Sequence, residues 1–301
     1  MRLFLLLGAC FLTGKGACLA WLRMRLRHHQ VRLTVLFALF FAIFSQGLAG
    51  ASPSLAKFAM VEADSILIVD GDTGKVLFEK EADRPREIAS VQKLLSALVI
   101  IEAGDLNKPV TVTAADASCQ PTKLPNSVGG TYTRRELLEA MLVLSANDAA
   151  RALARDNSGS EAAFGAKMTL MARRLGAKTS VFKDSAGFSA GGQYSTARDT
   201  MKIAMAAYKN PVIREIVATK NLPWREANGK LTSLRNANRI LHRHPNCRGL
   251  KVGYTGAAGH CAAVVWEEKG RRIFAVVLRG HKEMFWLQTA VMMKLYANGL
   301  L

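Results

Sequence analysis

Cysteine is scarce in this 301-residue chain, and acidic side chains are in the minority. Five cysteines occur, of which only Cys119, Cys247 and Cys261 lie beyond residue 51. Their number is odd and their spacing is neither C-x-x-C nor zinc-like, which leaves open one disulfide or isolated thiols. The six histidines form no metal-binding signature either. Internal repeats, low-complexity tracts and Pro/Gly linkers are missing after residue 60, which excludes a repeat array and argues against separable domains. Hydrophobic residues make up 50% and charged residues 21%, enough apolar material for a substantial core and too much for disorder. The shortage of acid shows as 41 basic against 23 acidic residues, a formal charge of +18. Residues 1–51 hold six basic residues and no acid, so the remainder still carries 35 against 23. A basic surface of that size suits polyanionic surroundings: nucleic acid, anionic lipid or a charged wall polymer.

The N-terminus discriminates among these. Residues 24–32 are basic, residues 33–44 form an apolar run, and Ala49-Gly50-Ala51 offers a small-residue cleavage site. This is the three-part layout of a secretory signal peptide, the alternative being an uncleaved anchor. The run falls short of the roughly 20 residues of a membrane span. Residues 1–23 carry a second apolar patch, and Met24 would make a tidy start. The lipoprotein-like box ending at Cys10 follows too short an apolar stretch to count. Residues 1–51 are therefore expected to be an extension with a signal peptide, and residues 52–301 a single exported domain. Membrane contact is expected only if the signal segment stays uncleaved, and export argues against a nucleic-acid partner.

Along the mature chain, residues 65–69 and 75–78 are β-rich runs around a turn at Asp70–Gly74 and predict a hairpin. From Ser90 the period changes. Val91, Leu94, Leu95, Leu98 and Ile101 follow helical spacing up to Gly104. Thr133 and Glu136 make a capping box that opens a helix carrying Leu137, Leu138, Met141 and Leu142. Residues 147–155, 161–175, 196–208 and 212–217 also predict helices. Residues 260–266 and 271–279 are apolar runs flanking a turn, read as central strands covered on both faces. Residues 284–297 end the chain as a helix. Strands at both ends with helices between predict an α/β (α+β) fold. Its antiparallel sheet is built from N- and C-terminal strands and flanked by helices, with a mostly helical inserted lobe over about 104–220.

Three S-x-x-K pairs occur: Ser54–Lys57, Ser90–Lys93 and Ser180–Lys183. On a helix this spacing stacks a hydroxyl and an amine on one face. A buried lysine near other cations loses pKa and can then activate the serine. Only Ser90–Lys93 begins a long amphipathic helix, whose N-terminus adds partial positive charge beside the nucleophile. By itself the pair reads more readily as an N-cap serine with a solvated lysine. Ser145-Ala146-Asn147 is the one S-x-N and joins two predicted helices. Singly it is as well explained by a polar interhelical turn. Lys251-Val252-Gly253 leads into Tyr254-Thr255-Gly256 and an apolar strand. A lysine at the start of an inner strand, beside glycines that admit a substrate backbone, is an anion-binding edge. Alone it is equally an ordinary basic loop.

The ordered set S-x-x-K, S-x-N, K-x-G resembles the penicillin-recognising serine enzymes with a β-lactamase/transpeptidase-like fold. It is most similar to their low-molecular-mass D-alanyl-D-alanine carboxypeptidases and endopeptidases. The likeness extends from about Asp64 to Gly299. It includes residues 70–78, 88–93, 192–199, 236–239 and 249–255 beyond the three motifs. The resemblance implies that Ser90 is acylated, Lys93 takes its proton, and Ser145 relays a proton to the leaving amine. Asn147 would bind the substrate backbone, Lys251 would supply positive charge, and Thr255 would hold the terminal carboxylate. The backbone N–H groups of Ser90 and Tyr254 would form the oxyanion hole. The implied substrates are a peptidoglycan pentapeptide or a crosslinked muropeptide, with β-lactam antibiotics as inhibitors and no cofactor or metal. Two departures and one exclusion follow. Val252 stands where the family usually has threonine, which weakens carboxylate anchoring. The usual basic residue after the last strand has only Arg279 or Lys282 as candidates. The E-x-x-x-N of a class A β-lactamase is absent, so slow release of penicillin is expected. A non-catalytic wall or partner scaffold is the competing reading, and the intact Ser90, Lys93, Ser145, Asn147 and Lys251 argue against it.

Overall fold

The computed structural model describes residues 62–301, apart from 189–190 and 282–284. The signal layout of residues 24–51, the start at Met24, the box ending at Cys10, the Ser54–Lys57 pair and Lys282 all lie outside the described residues. Strands β1 (Ala63–Asp70) and β2 (Val76–Lys80) form the expected hairpin. Asp70 Oδ1 closes its turn by accepting from the backbone N–H groups of Asp72 and Thr73 and from the Thr73 hydroxyl. A 3-10 turn over Ala89–Gln92 runs straight into α1 (Lys93–Glu102). The lobe follows: β3 (Pro109–Thr111), α2 (Ala114–Ala117), β4 (Thr131–Thr133), α3 (Arg134–Val143), α4 (Asn147–Ser158) and α5 (Glu161–Arg174). It continues through α6 (Ala197–Lys209) and α7 (Pro211–Ala218). The Thr133/Glu136 capping box is present at the start of α3, each side chain bonding the other's backbone N–H. A hairpin of β5 (Asn221–Arg225) and β6 (Leu231–Arg235) leads to α8 (Arg239–Arg243). The chain ends with β7 (Cys247–Thr255), β8 (Gly259–Glu268), β9 (Arg271–Gly280) and α9 (Phe285–Ala297).

The main sheet has the order β2-β1-β9-β8-β7, so β1 pairs antiparallel with β9 and closes the sheet by joining the two ends of the domain. Alternation along the strands sends side chains to two different cores. Leu67, Val69, Cys261, Ala263, Val265, Phe274, Val276 and Leu278 join the larger core beneath α1 and the lobe. Ile66, Ile68, Val252, Ala262, Val264, Trp266, Ile273 and Val277 join a second core with α8 and α9. Burial on both faces is why β8 and β9 read as near-continuous apolar runs. The predicted α/β (α+β) architecture is the observed one. The β3/β4 pair and the β5/β6 hairpin are additions, with strands of three and five residues too short to stand out as an alternating pattern. All three described cysteines are free thiols, which settles the open choice against a disulfide. No helix among the described residues is long and apolar enough to cross a membrane.

Candidate active site

Ser90 lies inside the 3-10 turn rather than at a helix N-cap, one residue after Ala89, whose φ is +48°. A non-glycine residue in the left-handed region is held there only when its surroundings over-determine it. Here the turn is pressed from two sides. A methyl built on Gly253 would meet the Ser90 nitrogen at 2.5 Å, and one on Gly187 would collide with the carbonyl of Ala89. Helical spacing then brings Lys93 Nζ to 2.8 Å from Ser90 Oγ. The same amine donates to Asn147 Oδ1 at 2.6 Å and lies 3.4 Å from Ser145 Oγ. Two of the three motifs therefore converge on one nitrogen. Ser145 has φ +72°, which turns the chain sharply between α3 and α4. Asn147 also donates to the carbonyl of Gln120, fixing its amide against the wall of the cleft.

Lys93 is fully buried, and that burial lowers its pKa to about 7, with the carboxylates of Asp184, Asp148 and Glu161 partly opposing the shift. Neighbouring cations, expected from the sequence to depress it, are not the cause. That repulsion falls on Lys251, whose pKa lies well below the ordinary lysine value, through burial first and the Lys93 charge second. Lys251 is almost fully buried, and its Nζ donates to the carbonyl of Val252 at 3.0 Å. Among the described residues, Ser90, Ser145, Asn147, Gly253, Tyr254 and Thr255 line one cleft of about 680 Å³. Lys93 and Lys251 lie behind its wall. Tyr254 is exposed, with its ring 4.7 Å from that of His260, and Thr255 Oγ1 accepts from the N–H of Ala258. Val252 also borders the cleft, although its side chain belongs to the outer core with Ile240 and Leu241. Of the two basic candidates after the last strand, Arg279 turns to Asp64 at 3.6 Å and is absent from the cleft lining.

The sequence reading missed a supporting group, Asp184. Its buried carboxylate accepts from the backbone N–H groups of Ala186 and Gly187 at 2.8 and 2.6 Å, and from the amides of Gln92 and Gln193. That shapes the loop whose Ala186 carbonyl accepts from Ser90 Oγ at 3.2 Å. Glu161 holds the same loop through the N–H and hydroxyl of Ser185, so both of its oxygens are committed. Gly187 inside a run of small polar residues was the one available signal.

A family model described as D-alanyl-D-alanine carboxypeptidase matches residues 52–282. The chain belongs to that family. A D-alanyl-D-alanine carboxypeptidase of Bacillus subtilis is 34% identical over 221 residues, covering 72% of this chain. The chain spans 57% of that relative's length. A D-alanyl-D-alanine endopeptidase of Pseudomonas aeruginosa is 30% identical over 239 residues, covering 76% of each chain. The crystal structure of a D-alanyl-D-alanine carboxypeptidase from Mycobacterium tuberculosis superposes with a TM-score of 0.74 at 29% identity. It covers 83% of this chain and 93% of that one.

Proposed function

We propose that the protein is an exported serine D-alanyl-D-alanine carboxypeptidase acting on peptidoglycan stem peptides. The observation that carries this reading is the convergence of Ser90, Ser145 and Asn147 on a buried Lys93 amine with a pKa near 7. A neutral amine has two hydrogens and one lone pair. Asn147 Oδ1 and Ser145 Oγ take the hydrogens, which leaves the lone pair for the Ser90 proton once that hydroxyl rotates from the Ala186 carbonyl toward Lys93. Ser90 Oγ then attacks the carbonyl carbon between the two D-alanines, and its proton passes to Lys93. Collapse of the tetrahedral intermediate breaks the C–N bond, and Ser145 relays a proton to the departing amine. Water hydrolyses the resulting ester. Asn147 would bind the substrate backbone, and the N–H groups of Ser90 and Tyr254 would receive the oxyanion. The basic, apolar and small-residue order of residues 24–51 supports a location outside the cytoplasm, periplasmic or against the cell wall.

Treatment with a fluorescent penicillin, followed by intact-mass measurement and peptide mapping, tests this reading. One label per chain on the peptide bearing Ser90 is expected. Label on a Ser180 peptide, or none at all, refutes it.

Val252 favours a second reading, a D,D-endopeptidase on crosslinked muropeptides. A threonine hydroxyl at this position would bond the substrate's terminal carboxylate, an interaction of about 1.5–3 kcal/mol. Val252→Thr is therefore expected to raise kcat/KM on a pentapeptide by about tenfold or more, and more than on a crosslinked dimer. Paired kinetics on the two substrates check this, and equal or unchanged rates would show the valine to be neutral.

A further inference from the structure

The proposed substrates end in a carboxylate on the leaving-group side, and beyond the Thr255 hydroxyl the cleft presents few arginines or lysines to meet it. Lys93 and Lys251 are buried behind the wall with depressed proton affinity. Val252 has no hydroxyl, and Arg279 pairs with Asp64. One arginine remains. Among the described residues Arg239 is the sole arginine or lysine on the cleft lining, and it is exposed. It opens α8, which packs its buried Ile240 and Leu241 against the same outer core as Val252, so its guanidinium belongs to the Val252 side of the cleft.

Its backbone is held firmly. Asn236 Oδ1 accepts from the N–H of Asn238, Asn238 Oδ1 accepts from those of Ile240 and Leu241, and the Asn236 carbonyl meets His242 Nε2 at 3.0 Å. The side chain itself makes no hydrogen bond or ion pair with any other described residue. Ala237 and Arg239 also border an adjoining cavity of about 390 Å³, whose wall includes Arg235 and Arg243. Neither of those arginines has an acidic partner among the described residues. A guanidinium carried on a firmly held backbone, with no internal carboxylate and two further cations beside it, is left open to an external one.

We propose that Arg239 is the receptor for the substrate's carboxylate on the leaving-group side, at the junction of the catalytic cleft with the arginine-lined cavity. This rests on the carboxypeptidase reading above. It moves carboxylate recognition from the K-x-G strand, where Val252 cannot donate, to the start of α8. A planar fork there gives two parallel N–H···O bonds that an amide or ester terminus cannot accept as strongly.

The test compares a peptide ending in D-Ala-D-Ala with its C-terminal amide, in wild type, Arg239→Gln and Arg239→Lys. Wild type is expected to prefer the free carboxylate. In Arg239→Gln that preference should fall by about ten- to hundredfold, chiefly through KM, and Arg239→Lys should restore part of it as a point charge. An unchanged preference in Arg239→Gln, with wild type active and labelled at Ser90, overturns the assignment and leaves the catalytic reading standing. A wild type that neither cleaves the peptide nor takes up penicillin at Ser90 overturns both.

Discussion

Replacing Lys93 by arginine should lower kcat/KM by about 10²- to 10⁴-fold, the range a positioned general base contributes. The amine can take the Ser90 proton only in its neutral form, and burial sets its pKa at about 7. Below that value the ammonium dominates and acylation is slow; above it the free amine is the main species. Activity should therefore rise with pH through a limb centred near 7. Arginine cannot lose its proton in this range, so the variant should be slow and lack the limb. Asp184 sharpens the test. Its carboxylate is the largest influence opposing the depression of Lys93. Asp184→Asn keeps the Oδ1 acceptor for the Ala186 and Gly187 N–H groups, gives up the Oδ2 acceptor for Gln193 and removes the charge, so the Lys93 pKa should fall further and the limb should move to lower pH. Stopped-flow acylation by penicillin across pH 5–9 reads all three proteins, with Lys93→Met as a smaller uncharged control for the packing of arginine. An active arginine variant, or a limb that stays in place in Asp184→Asn, would remove Lys93 from the role of base.

The parts of this site that were legible in the sequence are those in which chemistry and periodicity coincide. Ser90 and Lys93 stand three apart at the start of an apolar-periodic helix, and they meet at 2.8 Å. Thr133 and Glu136 announced a helix start through a local bond pattern, which the structure repeats. The closing of β1 on β9 followed from strands at both ends with helices between. What was not legible depends on contacts between distant segments. Asp184 lies 92 residues from Gln92 and 9 from Gln193, and no spacing rule links the three. The hairpin β5/β6 alternates exposed and covered side chains over only five residues a strand, with a proline inside β5, too little for the pattern to stand out. The cause of the Lys93 shift was half legible. The sequence reading expected burial and neighbouring cations to act on it together, whereas the packed structure has burial acting on both lysines and the repulsion falling on Lys251.

Gly253→Ala should reduce both peptide cleavage and penicillin acylation by about 10²- to 10³-fold while leaving most of the stability intact. The added methyl would sit 2.5 Å from the Ser90 nitrogen, 2.9 Å from Ala89 Cβ and 3.1 Å from Ser90 Cα. Two of these are backbone atoms, so relief requires moving the nucleophile's turn away from β7. That displaces Ser90 Oγ from Lys93 and separates the two N–H groups proposed to receive the oxyanion. Loss of one such donor costs about 10²–10³ in rate, and a misplacement of about 1 Å costs a similar factor. Gly187→Ala attacks the same turn from the other side, with an additional penalty. Its φ of +90° is strained for any L side chain, and its methyl would strike the Ala89 carbonyl. Backbone strain of that kind costs about 1–3 kcal/mol, so a lower Tm should accompany the lost activity. Gly191→Ala is the matched control, because a methyl there meets nothing within 4 Å and the residue lies outside the cleft lining. Thermal melts and acylation rates on the three variants separate the outcomes. If Gly253→Ala acylates as fast as Gly191→Ala, the close approach of β7 to Ser90 is not what holds the nucleophile, and the proposed oxyanion hole loses its structural basis.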